Sequence, residues 1–180
     1  MSPHRPPAAR PAGEAPSPAN EDGLNGGIEA GFEVRVQAEA IDVFTEISPI
    51  MRNPDIGALV DFIGIVRNNG DSDDVVALDL EHYPGMTEHS LWGIVEEACA
   101  RWALNAVKII HRSGRIALGQ PVVLVVVPAV HRAAAFEASE FIMDFLKVHA
   151  PFWKKEIRRD GTAQWVEAKH ADEQAMLRWG

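Results

Sequence analysis

The sequence of 180 residues has little of what marks secreted, membrane or disulfide-bonded proteins. Its one cysteine, Cys99, cannot form an internal disulfide, which agrees with a reducing compartment. The longest purely apolar run, 122–127, is far shorter than the roughly 20 residues that a membrane-spanning helix needs. The first residues lack the continuous apolar stretch of a secretory signal. These absences predict a soluble protein of the cytoplasm.

The sequence also has no surplus of positive charge and no recognisable metal motif. Its formal net charge of −9 argues against broad nucleic-acid binding, which depends on an excess of Lys and Arg. The seven histidines and the cysteine show none of the close pairings that zinc sites use. There is no phosphate-cradling glycine loop and no nucleophile elbow, and Cys99 lies on the packed face of a predicted helix. We therefore expect no metal, no other cofactor and no cysteine nucleophile.

The chain divides into a polar N-terminal tail and one domain. Residues 1–27 are rich in Pro, Ala, Gly and acidic side chains, with almost no large apolar groups. Ordering such a segment costs chain entropy with little burial in return, so it is predicted to be a disordered tail. Residues 28–180 are long enough for one hydrophobic core and are predicted to form a single catalytic domain.

Hydrophobic periodicity predicts a mixture of strands and helices. The apolar run at 121–127 favours a central strand with both faces covered, and the segments 57–67 and 76–80 are predicted to pair as a hairpin. Because strands and helices do not strictly alternate, we expect an α+β fold rather than a doubly wound parallel sheet. Further strands are predicted at 32–36, 107–111 and 165–169, and helices at 42–51, 87–104, 133–149 and 171–179.

The densest concentration of positive charge lies between residues 131 and 156. A turn at Ala150-Pro151 is predicted to return the last lysines to the end of the preceding helix, which would create a pocket for anions. It would collect His131, Arg132, Lys147, His149 and Lys154, whereas Lys155 is interpreted as a solvated charge. Phe152 and Trp153 are interpreted as core residues.

Lys147 is one helical turn beyond Met143, so its stem is expected to lie along the apolar face. An amine beside apolar groups and other cations loses its proton more readily and becomes a usable base or nucleophile. A purely structural role, as a cation that complements the helix dipole, is equally compatible with this position.

Two further polar positions follow predicted strands. Arg67 stands where a strand meets a loop, which suits either a guanidinium that grips phosphate or carboxylate or a surface salt bridge. His111 and Arg112 form a second polar patch, although a histidine at a strand end is more often simply hydrogen-bonded.

Five segments together resemble the large-subunit family of molybdopterin synthase, over residues 32–179. They are 62–67 (FIGIVR), 81–86 (EHYPGM), 111–114 (HRSG), 131–136 (HRAAAF) and 146–156 (LKVHAPFWKKE). The resemblance implies an α/β hammerhead-like fold with a mixed or antiparallel sheet and packed helices. It also implies a homodimer within a heterotetramer, in which a small ubiquitin-like sulfur-carrier subunit with a Gly-Gly C-terminus binds at each end.

In this family, the carrier's thiocarboxylated tail delivers two sulfurs to cyclic pyranopterin monophosphate, which makes molybdopterin. The resemblance matches Lys147 and Lys154 with essential lysines, and it implies that His131 and Arg132 serve the neighbouring subunit's pocket. The other matched positions are Arg67, His131 and Arg132 as anion-binding or substrate-contacting residues and Phe62, Met143 and Glu156 as pocket or supporting residues. Lys169 stands where relatives often have arginine, and it would make a weaker phosphate contact.

Two other functions fit parts of this pattern. A non-catalytic module that docks a partner's flexible tail would need the same cationic pocket. A phosphoester hydrolase that uses His131 and Asp144 is less favoured, because no metal ligands accompany these residues.

Overall fold

The computed structural model describes residues 31–68, 74–166 and 174–180. The predicted tail, its boundary with the domain and Lys169 lie outside these residues. The strands are β1 Phe32–Gln37, β2 Ala58–Ile65, β3 Val75–His82, β4 Val107–Arg112, β5 Gly114–Ala117, β6 Pro121–Ala129, β7 Phe152–Arg158 and β8 Ala163–Val166. The α-helices are α1 Val43–Ile47, α2 Met86–Trp102 and α3 Arg132–His149, and 3-10 helices span Ile50–Arg52 and Leu177–Trp179.

The first sheet has the strand order β1-β4-β6-β2. β1 and β4 are parallel, whereas β6 is antiparallel to both β4 and β2. Val123, Val125 and Val127 of β6 pack into the core beneath α2 and α3, and Leu124 and Val126 pack on the opposite face beside α1. This alternation confirms the prediction that both faces of the central strand are covered.

The second sheet has the order β5-β3-β7-β8 and is antiparallel throughout. The predicted hairpin of 57–67 with 76–80 is wrong, because β2 pairs with β6 and β3 pairs with β5 and β7. Turn residues indicate where a chain reverses but not which strand becomes the partner. Leu80 of β3 instead packs with Val66 and Ile116 in a small hydrophobic cluster that is separate from the main core.

Helices α2 and α3 follow the predictions closely, the predicted helix 42–51 is a shorter α1 followed by a 3-10 helix, and the predicted helix 171–179 lies partly outside the described residues. Leu91, Ile94 and Ala98 of α2, which recur at helical spacing, are buried, and α3 ends at His149, two residues before Pro151. None of the helices in the described residues is long and apolar enough to cross a membrane. Two sheets with helices packed on the first of them confirm the α+β class.

β5 and β7 were not predicted as strands. In β7, neighbouring side chains point to opposite faces of the second sheet. Phe152 is half-buried, but Trp153 remains 47% exposed on the other face. The interpretation of Phe152 as a core residue is therefore supported, and that of Trp153 is wrong.

Candidate active site

The topology gathers several of the nominated residues at one edge of the first sheet. β2 and β4 both run antiparallel to β6, and α3 returns along the sheet after β6. The C-terminal ends of β2, β4 and α3 therefore lie at the same edge. Arg67 follows β2, Lys147 occupies the last turn of α3, and Lys154 is in β7, which begins directly after α3.

Lys147 lines a cavity of about 330 Å³ between β2 and α3. Phe136, Met143 and Lys147 lie at helical spacing on one face of α3, and Phe62 of β2 lies opposite them. The remaining lining residues are Val60, Ser139, Glu140 and Asp144. Apolar atoms form most of the cavity surface, although half of the lining residues are polar or charged, and the structure brings Lys147 together with Phe62 and Met143, two of the predicted pocket residues.

The cavity also contains two carboxylates that contact the C-terminal residues. Arg178 donates to Asp144 Oδ2 from Nε at 3.1 Å and from Nη2 at 2.6 Å, and Trp179 Nε1 donates to the same oxygen at 2.8 Å. The Arg178 Nη2 atom also lies 2.7 Å from Glu140 Oε1. The sequence analysis did not assign Arg178 or Trp179 to the site, because no local pattern indicates where a chain end will pack.

Lys154 lies beside a stack of three rings that connects the two sheets. The His111 ring of β4 stacks on Phe152 of β7, with centroids 3.7 Å apart, and the His82 ring of β3 lies 6.1 Å from Phe152 on centroids. Lys154 is two residues beyond Phe152 and therefore shares its face of β7. The stack thus fixes the start of β7 and the direction in which Lys154 leaves it.

His111 is buried and neutral. Burial is the main reason that the pKa of His111 is lowered from 6.5 to about 4, and the charges of Lys154 and His82 act in the same direction. A hydrogen bond of 2.8 Å joins His111 Nδ1 to the Arg112 carbonyl oxygen. Because a carbonyl only accepts, Nδ1 carries the proton of the neutral ring and Nε2 is left as an acceptor.

The turn between α3 and β7 is itself anchored. The hydroxyl of the fully buried Thr87 donates to the Pro151 carbonyl at 3.4 Å, and the Phe152 amide donates to the Ala150 carbonyl at 2.8 Å. These contacts fix the relative positions of the backbones that carry Lys147 and Lys154.

Glu156 and Arg67 occupy contrasting environments. Glu156 is buried on the same face of β7 as Lys154. The Arg67 side chain is exposed, but the backbone of the preceding Val66 is fixed by two hydrogen bonds. The Val66 amide donates to the Gln120 carbonyl at 3.0 Å, and the Val66 carbonyl accepts from the Gly119 amide at 2.8 Å. Arg67 therefore projects from a fixed backbone position into solvent.

His131 and Arg132 lie at the opposite edge, at the start of α3, and both are exposed. At 1.5 Å per residue, the helix separates His131 from Lys147 by roughly 24 Å. Within one chain they do not share the Lys147 cavity. The same geometry separates His131 from Asp144 by roughly 20 Å, which argues against the phosphoester hydrolase that would combine them.

The structure offers no obvious metal or thiol chemistry in the part of the chain that it describes. Across 31–68, 74–166 and 174–180, no group of three or more His, Cys, Asp or Glu residues is placed to hold a metal ion. Burial raises the pKa of Cys99 to about 11, with a smaller contribution from the charge of Glu96. A thiol with this pKa is a poor nucleophile at neutral pH.

Comparisons with known proteins agree with this architecture. Residues 36–149 match the family model described as "MoaE protein". The chain is 49% identical over 148 residues to a molybdopterin synthase catalytic subunit from Mesorhizobium japonicum, covering 81% of this chain and 92% of that protein.

Two solved structures are similar to most of the chain. A molybdopterin biosynthesis MoaE protein from Burkholderia ambifaria aligns with a TM-score of 0.69 and 45% identity, over 84% of this chain and 99% of that chain. A complex of subunits 1 and 2 of molybdopterin-converting factor from Helicobacter pylori aligns with a TM-score of 0.63 and 22% identity, over 78% and 92% of the two chains, and this likeness concerns the fold alone. Because the family model spans more than half of the chain and the relatives are near half identity, the chain belongs to the MoaE protein family.

Proposed function

We propose that the chain is the catalytic subunit of a molybdopterin synthase and acts as a cytoplasmic sulfurtransferase. In this proposal, a small ubiquitin-like carrier supplies sulfur as a C-terminal thiocarboxylate, and cyclic pyranopterin monophosphate accepts two sulfurs in turn. Each transfer replaces a carbon–oxygen bond of the pterin with a carbon–sulfur bond, so that the oxygen departs with the leaving group, and hydrolysis of the resulting acyl–sulfur bond returns the carrier's terminus as a carboxylate. The observation that carries the proposal is the placement of Lys147 in a mostly apolar cavity at the edge that also receives Lys154.

The cavity suits a narrow, flexible guest. Its apolar side chains, including Val60, Phe62 and Met143, can pack against an extended Gly-Gly tail, which has no side chains to obstruct entry. The Lys147 ammonium then stands where the tail's negative sulfur arrives. A cation held beside the developing negative charge stabilises the transition state.

Lys154 is proposed to act from the strand side of the same edge. Its position on the rigid start of β7 favours stabilisation of charge that develops at the attacked carbon, and Lys147 is also suited to move a proton. Arg67 is proposed to hold the phosphate, with Glu156 as a supporting residue. Lys169 remains a proposed phosphate contact outside the described residues.

His131 and Arg132 are proposed to complete the neighbouring subunit's site. Neither residue lines the cavity of its own chain, and two-fold symmetry allows a residue from one copy to reach the site of the other. The proposed assembly is a homodimer of this chain with one carrier at each end.

The test uses the purified full chain, a thiocarboxylated carrier and the pterin precursor, with molybdopterin measured after oxidation to its fluorescent derivative. Lys147→Ala and Lys154→Ala should each lower the rate by about 10²- to 10³-fold, the usual loss when one charge-stabilising group is removed. Lys155→Ala is the matched control. Lys155 pairs with Glu81 and lies over the Trp165 ring, on the other face of β7 from Lys154.

Three outcomes decide between the functions. Loss of product in the two variants with a nearly unchanged control supports the enzyme. Tight carrier binding without product in the wild type supports the tail-docking module instead. Equal rates in all three variants would refute the assignment of both lysines.

A further inference from the structure

The Lys147 cavity contains negative charge that an anionic guest must overcome. Glu140 and Asp144 precede Lys147 on the same face of α3, and all three line the cavity. A carboxylate close to the bound guest would repel a thiocarboxylate and would attract the ammonium that should contact it. A cavity that selects anions therefore needs another group to compensate these two carboxylates.

Arg178 contacts both of them. The Nη2 atom lies 2.6 Å from Asp144 Oδ2 and 2.7 Å from Glu140 Oε1, and Nε adds a second bond to Asp144 at 3.1 Å. Trp179 Nε1 donates to the same Asp144 oxygen at 2.8 Å. The Asp144 side chain is only 14% exposed, so solvent screens its charge less than that of an ordinary surface carboxylate.

The position of Arg178 is built into the fold. The neighbouring Trp179 ring packs edge-on against Trp102 and Phe141, with centroids 5.7 and 5.5 Å away. Arg101 of α2 donates to the Trp179 carbonyl at 2.9 Å. Residues 178 and 179 are thereby held against both α2 and α3.

We propose that Arg178 sets the charge selectivity of the Lys147 cavity, as a positioning residue that compensates Asp144 and Glu140 so that the cavity accepts the anionic C-terminus of the carrier. This inference rests on the proposed function for the identity of the guest. Arg178 itself does not touch the guest. It acts through Asp144, because the hydrogen bonds that Arg178 donates keep that carboxylate turned away from the guest.

The experiment measures how strongly the full chain prefers a charged tail. The carrier is released from an intein fusion either with its Gly-Gly carboxylate or as the C-terminal amide, and both dissociation constants are measured by calorimetry. The ratio of the amide Kd to the carboxylate Kd is the charge selectivity. A purely structural defect would weaken both forms equally and leave this ratio unchanged.

Arg178→Gln should lower the ratio by about fivefold, a size typical of one charge in a partly exposed pair. Adding Asp144→Asn to Arg178→Gln should restore the ratio to within about twofold of wild type, because the carboxylate that required compensation is gone. Arg52→Gln is the matched control, since Arg52 is an exposed arginine of the 3-10 helix Ile50–Arg52, which packs on the face of the first sheet opposite to α3, and it should keep the wild-type ratio. Melting temperatures of all variants are recorded alongside.

An unchanged ratio in Arg178→Gln, no recovery in the double variant, or equal affinity of the wild type for both carrier forms would overturn the proposal. The assay needs no turnover, so its result is separable from the proposed function. If the wild type makes no molybdopterin but shows the expected pattern of ratios, the enzymatic assignment fails and the role of Arg178 stands.

Discussion

Acid should destabilise this fold through His111, and the effect is large enough to measure. The folded-state pKa of about 4 lies below the ordinary value of 6.5, mainly because the ring is buried. As pH falls, the unfolded chain therefore takes up the proton first. The stability that this site contributes is complete above pH 6.5, declines as pH falls and is lost once pH passes below about 4.

The size of the effect follows from the two pKa values. A change from 6.5 to about 4 corresponds to roughly 3 kcal/mol over the full range, most of it already lost by pH 4.5. His111→Phe should remove this dependence, because a phenyl ring stacks on Phe152 but does not titrate. The lost hydrogen bond to the Arg112 carbonyl is expected to cost the variant about 1 kcal/mol at all pH values.

The assay is urea unfolding followed by circular dichroism at constant ionic strength between pH 4.5 and 8. Carboxylates also titrate near the lower limit, but they are common to both proteins, so their effect cancels in the difference between the two profiles. Among these is Glu46, where burial raises the pKa but is outweighed by hydrogen bonds from Lys108 and Arg35. His89→Phe, which removes an exposed histidine of α2, is the matched control. Parallel pH profiles for wild type and His111→Phe would refute the reasoning.

Three further outcomes are expected. Co-expression of Lys147→Ala with His131→Ala chains should restore about a quarter of wild-type synthesis, because half of the dimers are mixed and each holds one intact site; no recovery would show that both residues serve the same chain's site. Cys99, with a pKa of about 11, should react with a disulfide reagent at pH 8 much more slowly in the folded than in the urea-unfolded protein, and equal rates would contradict its burial. Phe141→Ala, which removes a fully buried ring in contact with Trp102, should lower the free energy of unfolding by about 3–5 kcal/mol in urea titrations, and a loss below about 1 kcal/mol would contradict the packing described.

Local chemistry in the sequence was sufficient to predict most elements of the fold. The apolar run of β6, the stripe of α2 and the stop of α3 before Pro151 depend on periodicity and backbone sterics, which neighbouring residues determine. The same reasoning correctly placed Met143 and Lys147 on one helix face. Strand pairing was not predictable in this way, and the expected hairpin was wrong because β2 and β3 find their partners across long stretches of chain.

The candidate site, like the fold, was only partly predictable from the sequence. The residue types at Lys147, Lys154 and Arg67 already indicated an anion-binding role, because charge and hydrogen-bonding capacity belong to the side chain itself. Only the tertiary structure decided which of them share an edge, since that depends on the directions of β2, β4 and α3. It also separated His131 from Lys147 and brought Arg178 to Asp144. Contacts between residues distant in sequence arise from packing, which no local pattern encodes.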